Sequence, residues 1–179
     1  VQTCALPISH PSNGTTSDHF TGISIQREIA PSEGAILHVQ QWDALLLFTS
    51  QTGIVHAWDI RMKEDAWKIR IDPKEGLIRR IAADPLNGGT WIVTGSSQGV
   101  LDLWDVRFKL KVAQWKHPSR NGIVDMAPTR ASPDVMHRMG IKSQGPFIYV
   151  AAGGNEVGLW DIQDQECKQV CFLPPCCGL

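Results

Sequence analysis

An all-β chain made of repeated four-stranded sheets is predicted from three observations in this 179-residue sequence. A tetrapeptide recurs as Trp58-Asp59-Ile60-Arg61, Trp104-Asp105-Val106-Arg107 and Trp160-Asp161-Ile162-Gln163. The copies begin 46 and then 56 residues apart, and each follows an apolar run and a turn of small residues. The runs are short and apolar at consecutive positions, as in Leu45-Leu46-Leu47-Phe48. A period of this length ending in Trp-Asp marks WD-type blades. The sequence therefore predicts a partial WD-repeat β-propeller, about three four-stranded blades of an incomplete ring.

Residues 1–8, Val1-Gln2-Thr3-Cys4-Ala5-Leu6-Pro7-Ile8, resemble a translated sequencing adapter and are set apart from fold reasoning. The chain is accordingly read as a fragment of a longer protein. Residues 9–33 are expected to hold a polar loop and, over Phe20 to Ile29, the end of a preceding blade. The first complete blade spans 34–75. Its strands are expected at Ala35 to Gln41, Ala44 to Ser50, Ile54 to Ile60 and Ala66 to Asp72, with Gln51-Thr52-Gly53 as a hairpin turn. Trp42-Asp43 falls between the first two strands and reads as a turn dipeptide that imitates the signature.

The second blade, 76–121, repeats the plan with Leu77 to Ala83, Thr90 to Ser97, Val100 to Val106 and Lys111 to His117. Turn formers at Asp84 to Gly89 and Ser97-Gln98-Gly99 separate its strands. The third blade, 122–173, has Ile123 to Ala127, Phe147 to Ala152, Glu156 to Ile162 and Glu166 to Phe172. Its inserted loop, 128–145, accounts for the longer spacing. Arg130, His137, Arg138 and Lys142 make that loop basic, which suits either a solvated insertion or a partner contact. Residues 174–179 are a doubtful tail. No helix longer than two turns is expected.

Strands that are apolar on both faces favour a propeller over a sandwich, because each blade packs between two neighbours whereas a sandwich sheet has one wet face. In each blade the third-strand Trp should fill space near the outer strand, and the following Asp should accept backbone hydrogen bonds in the turn. The hairpin turns lack the Asp common in such blades, and Gly-His is absent. The usual polar network among Asp, His, Trp and Ser/Thr is therefore expected to be incomplete.

Composition narrows the function. A 42% hydrophobic content with net charge −1 describes an ordinary globular protein without the basic stripe of a nucleic-acid binder. No apolar run approaches the ~20 residues needed to span a bilayer. Apart from Cys4, the cysteines are Cys167, Cys171, Cys176 and Cys177, whose spacing fits no familiar zinc site. Gly95-Ser96-Ser97-Gln98-Gly99 matches a nucleophile elbow literally, but that motif leaves its turn as a helix and this one leaves as a strand. No metal, phosphate-loop or acid–base constellation appears, so no cofactor and no enzyme activity are expected of this segment. Trp67 and Trp115 lie on outer strands, where each can be a packed residue or a surface anchor.

The stretch from Gly76 to Ser119 is more specific than the repeat alone. Gly76-Leu77-Ile78, Thr94 to Gly99, Leu103-Trp104-Asp105-Val106-Arg107-Phe108 and His117-Pro118-Ser119-Arg120 are its marks, joined by Gly154-Asn155-Glu156-Val157. Together they resemble the C-terminal propeller of the regulatory, protein-kinase-like vacuolar-sorting subunit of class III phosphatidylinositol 3-kinase. The resemblance covers roughly Gly34 to Ile162. It implies a scaffold that joins the lipid kinase catalytic subunit to a beclin-type subunit. Its location would be cytoplasmic and peripheral on endosomal and autophagic membranes. The Gly-rich loop, His-Arg-Asp and Asp-Phe-Gly of the family's kinase-like domain do not occur in this sequence. An alternative comes from Arg61 and Arg107. Two successive Trp-Asp-x-Arg phrases also resemble the box by which substrate receptors of cullin-RING ubiquitin ligases grip their adaptor. The same arginines can instead pair with carboxylates on the blade rim.

Overall fold

Twelve strands form three separate antiparallel sheets of four, each in simple sequential order. The computed structural model describes residues 27–62, 64–86, 89–129, 133–142, 145–154 and 156–172. The first blade contains β1 (Ile36–Trp42), β2 (Leu45–Ser50), β3 (Ile54–Asp59) and β4 (Asp65–Arg70). The second contains β5 (Ile78–Ala83), β6 (Trp91–Ser96), β7 (Val100–Asp105) and β8 (Leu110–Lys116). The third contains β9 (Ile123–Pro128), β10 (Phe147–Ala152), β11 (Glu156–Asp161) and β12 (Glu166–Phe172). The innermost strands β1, β5 and β9 approach one another in turn, as blades do around a propeller axis.

The consecutive apolar residues are explained by two buried seams. Between the first and second blades, Leu47, Val55 and Ile69 meet Ile78, Ile81, Ile92 and Trp104. Between the second and third, Ala82, Val93 and Leu101 meet Ile123, Ile148, Val150 and Trp160. Neighbouring residues on one strand thus serve opposite seams: Ile92 faces the first and Val93 the second. A strand alternates its side chains between faces, so a sheet buried on both sides needs apolar residues in both phases.

The three signature tryptophans occupy equivalent places. Trp58 pairs with Leu46, Trp104 with Ile92 and Trp160 with Ile148. On the other side of each Trp the outer strand carries one extra residue, passing over Ala66, Val112 and Lys168 respectively. Such a bulge bends the outer strand and increases its twist. Trp104 packs into the seam with the first blade and Trp160 into the seam with the second. The Trp of one blade therefore closes the joint with the blade before it.

Turn chemistry follows local need. Ser50 Oγ accepts from Ile54 N at 3.2 Å, and Ser96 Oγ accepts from Val100 N at 3.1 Å. Gly99 has φ 74°, and a Cβ there would stand 2.6 Å from Asn121 O, so both conformation and space favour glycine.

Two sequence expectations need correction, and a third falls largely outside the described residues. The inserted segment is not wholly a polar loop: α1 (Pro133–Arg138) lies within it, and buried Met136 and Ile141 pack on Phe147 and Leu159. Trp42 is more than a turn dipeptide. It ends β1, packs on the first seam edge-on to Trp67, and its Nε1 donates to Asp84 O in the next blade at 2.9 Å. Of the strand expected at Phe20 to Ile29, residues 20–26 lie outside the described residues and 27–29 form no strand.

Replacing Trp104 by Ala empties a seam rather than a surface. The expected loss is about 3–5 kcal/mol of unfolding free energy, typical of buried aromatic truncation. Urea denaturation checks this, and an unchanged midpoint contradicts the packing described.

Candidate interaction surface

The sheets leave two rims. Antiparallel order puts the β1–β2 and β3–β4 turns of a blade at one end, and the β2–β3 turn and the connection to the next blade at the other. The first rim carries the Asp residues of the repeat. Asp59 Oδ1 accepts from Arg61 N at 3.0 Å, Asp105 Oδ1 from Arg107 N at 2.9 Å, and Asp161 Oδ1 from Gln163 N at 2.9 Å.

In the first two blades the Arg side chain folds back as a fork onto the same carboxylate. Arg61 reaches Asp59 at 2.9 and 2.6 Å, and Arg107 reaches Asp105 at 3.1 and 2.6 Å. The hydrogen bonds from Arg61 hold the Asp59 carboxyl down at about 2, and Arg107 lowers Asp105 in the same way. Both guanidinium groups stay largely in water, 74% and 59% exposed. A partner that takes either arginine must therefore compete with its own Asp. Asp161 differs: Gln163 stands where the other two blades have Arg, and the fully buried Asp161 also receives Asp164 N at 3.2 Å.

The other proposed contacts divide between core and rim. Trp67 packs against the first seam. Trp115 stacks on Trp160, ring centroids 6.4 Å apart, in the second. Both indoles are therefore joints between blades rather than free anchors, since each lies on the face that its blade turns toward the neighbour. Arg138 and Lys142 are exposed on the inserted segment, and Arg130 lies outside the described residues.

The opposite rim holds polar devices that the sequence reading missed. A 3₁₀ turn precedes β1 (Pro31–Glu33) and another precedes β5 (Pro73–Glu75). Each sends its Glu onto the third residue of its blade's third strand. Glu33 Oε2 lies 2.7 Å from His56 Nε2, whose Nδ1 is 3.0 Å from Asp65 Oδ2. Glu75 meets Asp102. The signal was present: Pro31-Ser32-Glu33-Gly34 and Pro73-Lys74-Glu75-Gly76 each stand five residues ahead of a strand-starting Ile. In the third blade Pro118-Ser119-Arg120-Asn121 replaces the Glu. The third-strand residue there is Gly158, where a Cβ would stand 2.7 Å from Trp160 Nε1.

The Glu75–Asp102 pair is the most perturbed site. Glu75 Oε1 accepts from Lys111 Nζ at 2.9 Å and Gln114 Nε2 at 2.7 Å, while Glu75 Oε2 is buried without another donor. Asp102, whose side chain is 2% exposed, is pushed up to about 6 by burial and by the neighbouring Glu75. Burial would raise Glu75, but hydrogen bonds with Asp102, Lys111 and Gln114 outweigh it and hold Glu75 low. Below about pH 6 a proton shared by this pair favours Asp102, the carboxyl whose pKa is raised. Of the network expected from other blades, a Trp-to-Thr link is present in the second blade, Trp104 Nε1 donating to Thr94 Oγ1 at 3.2 Å.

Among the described residues, no group of three His, Cys, Asp or Glu is placed to hold a metal. Cys176 and Cys177 lie outside those residues. No described helix is long and apolar enough to cross a membrane.

Comparison with known proteins adds identity to this geometry. No protein-family model matches the chain. Over 163 residues it is 34% identical to a protein named serine/threonine-protein kinase VPS15 from Arabidopsis thaliana, covering 88% of this chain and 11% of that protein. A putative serine/threonine-protein kinase VPS15 from Komagataella pastoris is 30% identical, with 90% of this chain and 12% of the relative covered. A probable vps15 kinase from Dictyostelium discoideum is 24% identical, with 84% and 7% covered. The chain thus spans about a tenth of these curated relatives. A chain in the crystal structure of the mitotic checkpoint complex superposes with TM-score 0.62 at 14% identity, covering 87% of this chain and 42% of that one. That likeness shows the fold alone.

Two outcomes follow from the site chemistry. Asp161→Ala should cost about 1–3 kcal/mol, because a buried carboxylate that accepts from the backbone N–H groups of Gln163 and Asp164 is lost. Arg61→Ala, at an exposed pair, should leave the melting temperature unchanged; thermal denaturation of both variants separates the cases. The second concerns pH. An acid with a higher pKa folded than unfolded stabilises the fold most below its ordinary value of 3.8 and loses that contribution as pH rises to about 6. Glu75, shifted down, acts in the opposite sense, losing its contribution as pH falls through its folded pKa. Asp102→Asn keeps a donor for Glu75 and removes the titration. The variant should flatten the decline between 3.8 and about 6 and be the more stable form at about pH 7.5. Denaturant titrations across that range decide it.

Proposed function

The chain is a WD-repeat propeller segment of VPS15 type, and from that premise we propose that it is a non-catalytic scaffold docking subunits of the class III phosphatidylinositol 3-kinase complex. Its partners are then the lipid kinase catalytic subunit and a beclin-type subunit. The complex acts peripherally on endosomal and autophagic membranes, supporting phosphatidylinositol 3-phosphate formation in autophagy and vacuolar sorting. The observation that carries this reading is 34% identity to a VPS15 protein across 88% of the chain. The side chains agree with it. The repeat Asp residues, the buried His56 and the Glu75–Asp102 pair are engaged in holding turns and blades, which leaves rims and edges as the working surface. The kinase activity in the relatives' names is assigned to parts of those proteins beyond this segment.

Affinity purification tests the proposal. Tagged full-length protein should co-purify with the lipid kinase and a beclin-type subunit. The Trp104→Ala protein should recover severalfold less of both per molecule of bait. Undiminished recovery contradicts a docking role for these blades. A cullin-RING adaptor recovered in place of the lipid kinase favours the alternative through Arg61 and Arg107.

A further inference from the structure

We propose that the rim carrying the connections between blades is a contact surface for an anionic lipid bilayer. The two rims differ in the charge they show to solvent. On the rim of the repeat Asp residues, exposed Asp43, Glu64, Asp134 and Asp164 stand among Lys109, Arg138 and Lys142. On the opposite rim the exposed charges are mainly cations: Arg70, Lys74, Arg79, Lys116 and Arg120. Among the described residues none of these forms an ion pair.

Their places repeat from blade to blade. Arg70 ends β4 opposite Ile54, and Lys116 ends β8 opposite Val100, the first residues of β3 and β7. Lys74 and Arg120 stand in the connections that follow. Arg79 belongs to the inner strand β5, where the ladder passes from Ile78–Ser96 to Arg80–Gly95 without it. The cations are thus spread over two blades and from the innermost strand to the outermost.

Most carboxylates of this rim are turned inward. Glu33 lies 2.7 Å from His56 Nε2, Glu75 accepts from Lys111 Nζ at 2.9 Å, and Glu156 lies 3.6 Å from His117 Nδ1. Asp72 and, ahead of the first connection, Glu28 are exposed, and Asp72 Oδ1 accepts from Lys74 N at 3.0 Å. Cations therefore dominate what this rim presents, although the whole sequence has net charge −1.

Apolar tips stand among these charges. Leu77 is 43% exposed, and Pro73 and Pro118 are exposed at the turns. An anionic bilayer attracts each Lys or Arg near its surface and admits short apolar side chains to the headgroup layer. An acidic protein segment would need its cations aligned along one strand or groove, whereas these cover a broad area. A flat, diffuse negative surface matches that spread.

Membrane contact by this rim rests on the scaffold reading and deepens it. The two fail separately, because the rim variants leave the seams intact and co-purification with the lipid kinase should stay at the wild-type level. The probe is vesicles of phosphatidylcholine with or without phosphatidylserine, sedimented with the full-length protein. Binding that needs phosphatidylserine and weakens with salt is expected. Lys74→Gln together with Arg120→Gln should lower the partition coefficient by roughly twentyfold, about fivefold per charge, with an unchanged circular dichroism spectrum. Arg138→Gln together with Lys142→Gln, on the other rim, should leave it unaltered. Undiminished partition of the first pair, an equal loss in the second, or binding indifferent to phosphatidylserine overturns the proposal. If the first pair instead abolishes binding of a poly-glutamate peptide and spares the vesicles, an acidic protein is the partner and the proposal falls.

Discussion

Each sheet here must bury both faces, and the blades exist as a set because none can do so alone. A four-stranded sheet that is apolar in both phases, like β6 with Ile92 on one seam and Val93 on the other, is stable only between neighbours. The hydrophobic effect scales with apolar area withdrawn from water, and the seams are where that area lies. Trp104 and Trp160 each reach back into the seam with the preceding blade. Trp42 reaches forward, donating its indole N–H to a carbonyl of the next blade. Packing and directed hydrogen bonds, among them Thr49 Oγ1 to Ile78 O, thus join each blade to the next.

The polar residues are arranged around this burial. At one rim the repeat Asp closes the turn after the third strand by accepting backbone N–H groups, so the Trp before it is held at a fixed angle to its seam. At the other rim, a Pro-x-Glu turn ties the incoming connection to the middle of the third strand through His56 in one blade and Asp102 in the next. The two solutions use different chemistry at one place. The third blade has neither Glu nor an ionisable third-strand residue there, and the Trp160 indole lies close to Gly158. The inserted segment shows a further economy: α1 and the residues after it are anchored by Met136 and Ile141 on Phe147 and Leu159. The basic side chains of that segment consequently stand on a supported platform.

Much of this was legible in the residues. The spacing of Trp-Asp, the turn glycines and the runs of consecutive apolar residues determined the strand order and the equivalence of Trp58, Trp104 and Trp160, because these depend on local periodicity. Strand ends shifted by about one residue, as fraying ends do. The helix at Pro133–Arg138 had a signature of its own, with Pro at its first position, Asp134 in the first turn and His137 and Arg138 in the last. Six residues among polar neighbours carry too weak a period to outweigh a loop reading, and only contact with Phe147 and Leu159 makes the segment helical.

What the sequence determined by itself was the repeating unit: four short strands, their turns, and an indole–carboxylate pair at the end of each third strand. What the tertiary structure decided was which residues meet across units. Trp67 and Trp115 could be surface or core until their blades were set beside one another. The pairing of Glu75 with Asp102, 27 residues apart in the chain, has no local signal at all. Periodicity encodes the direction in which a side chain leaves its own strand, whereas a joint between sheets depends on two such directions converging in space.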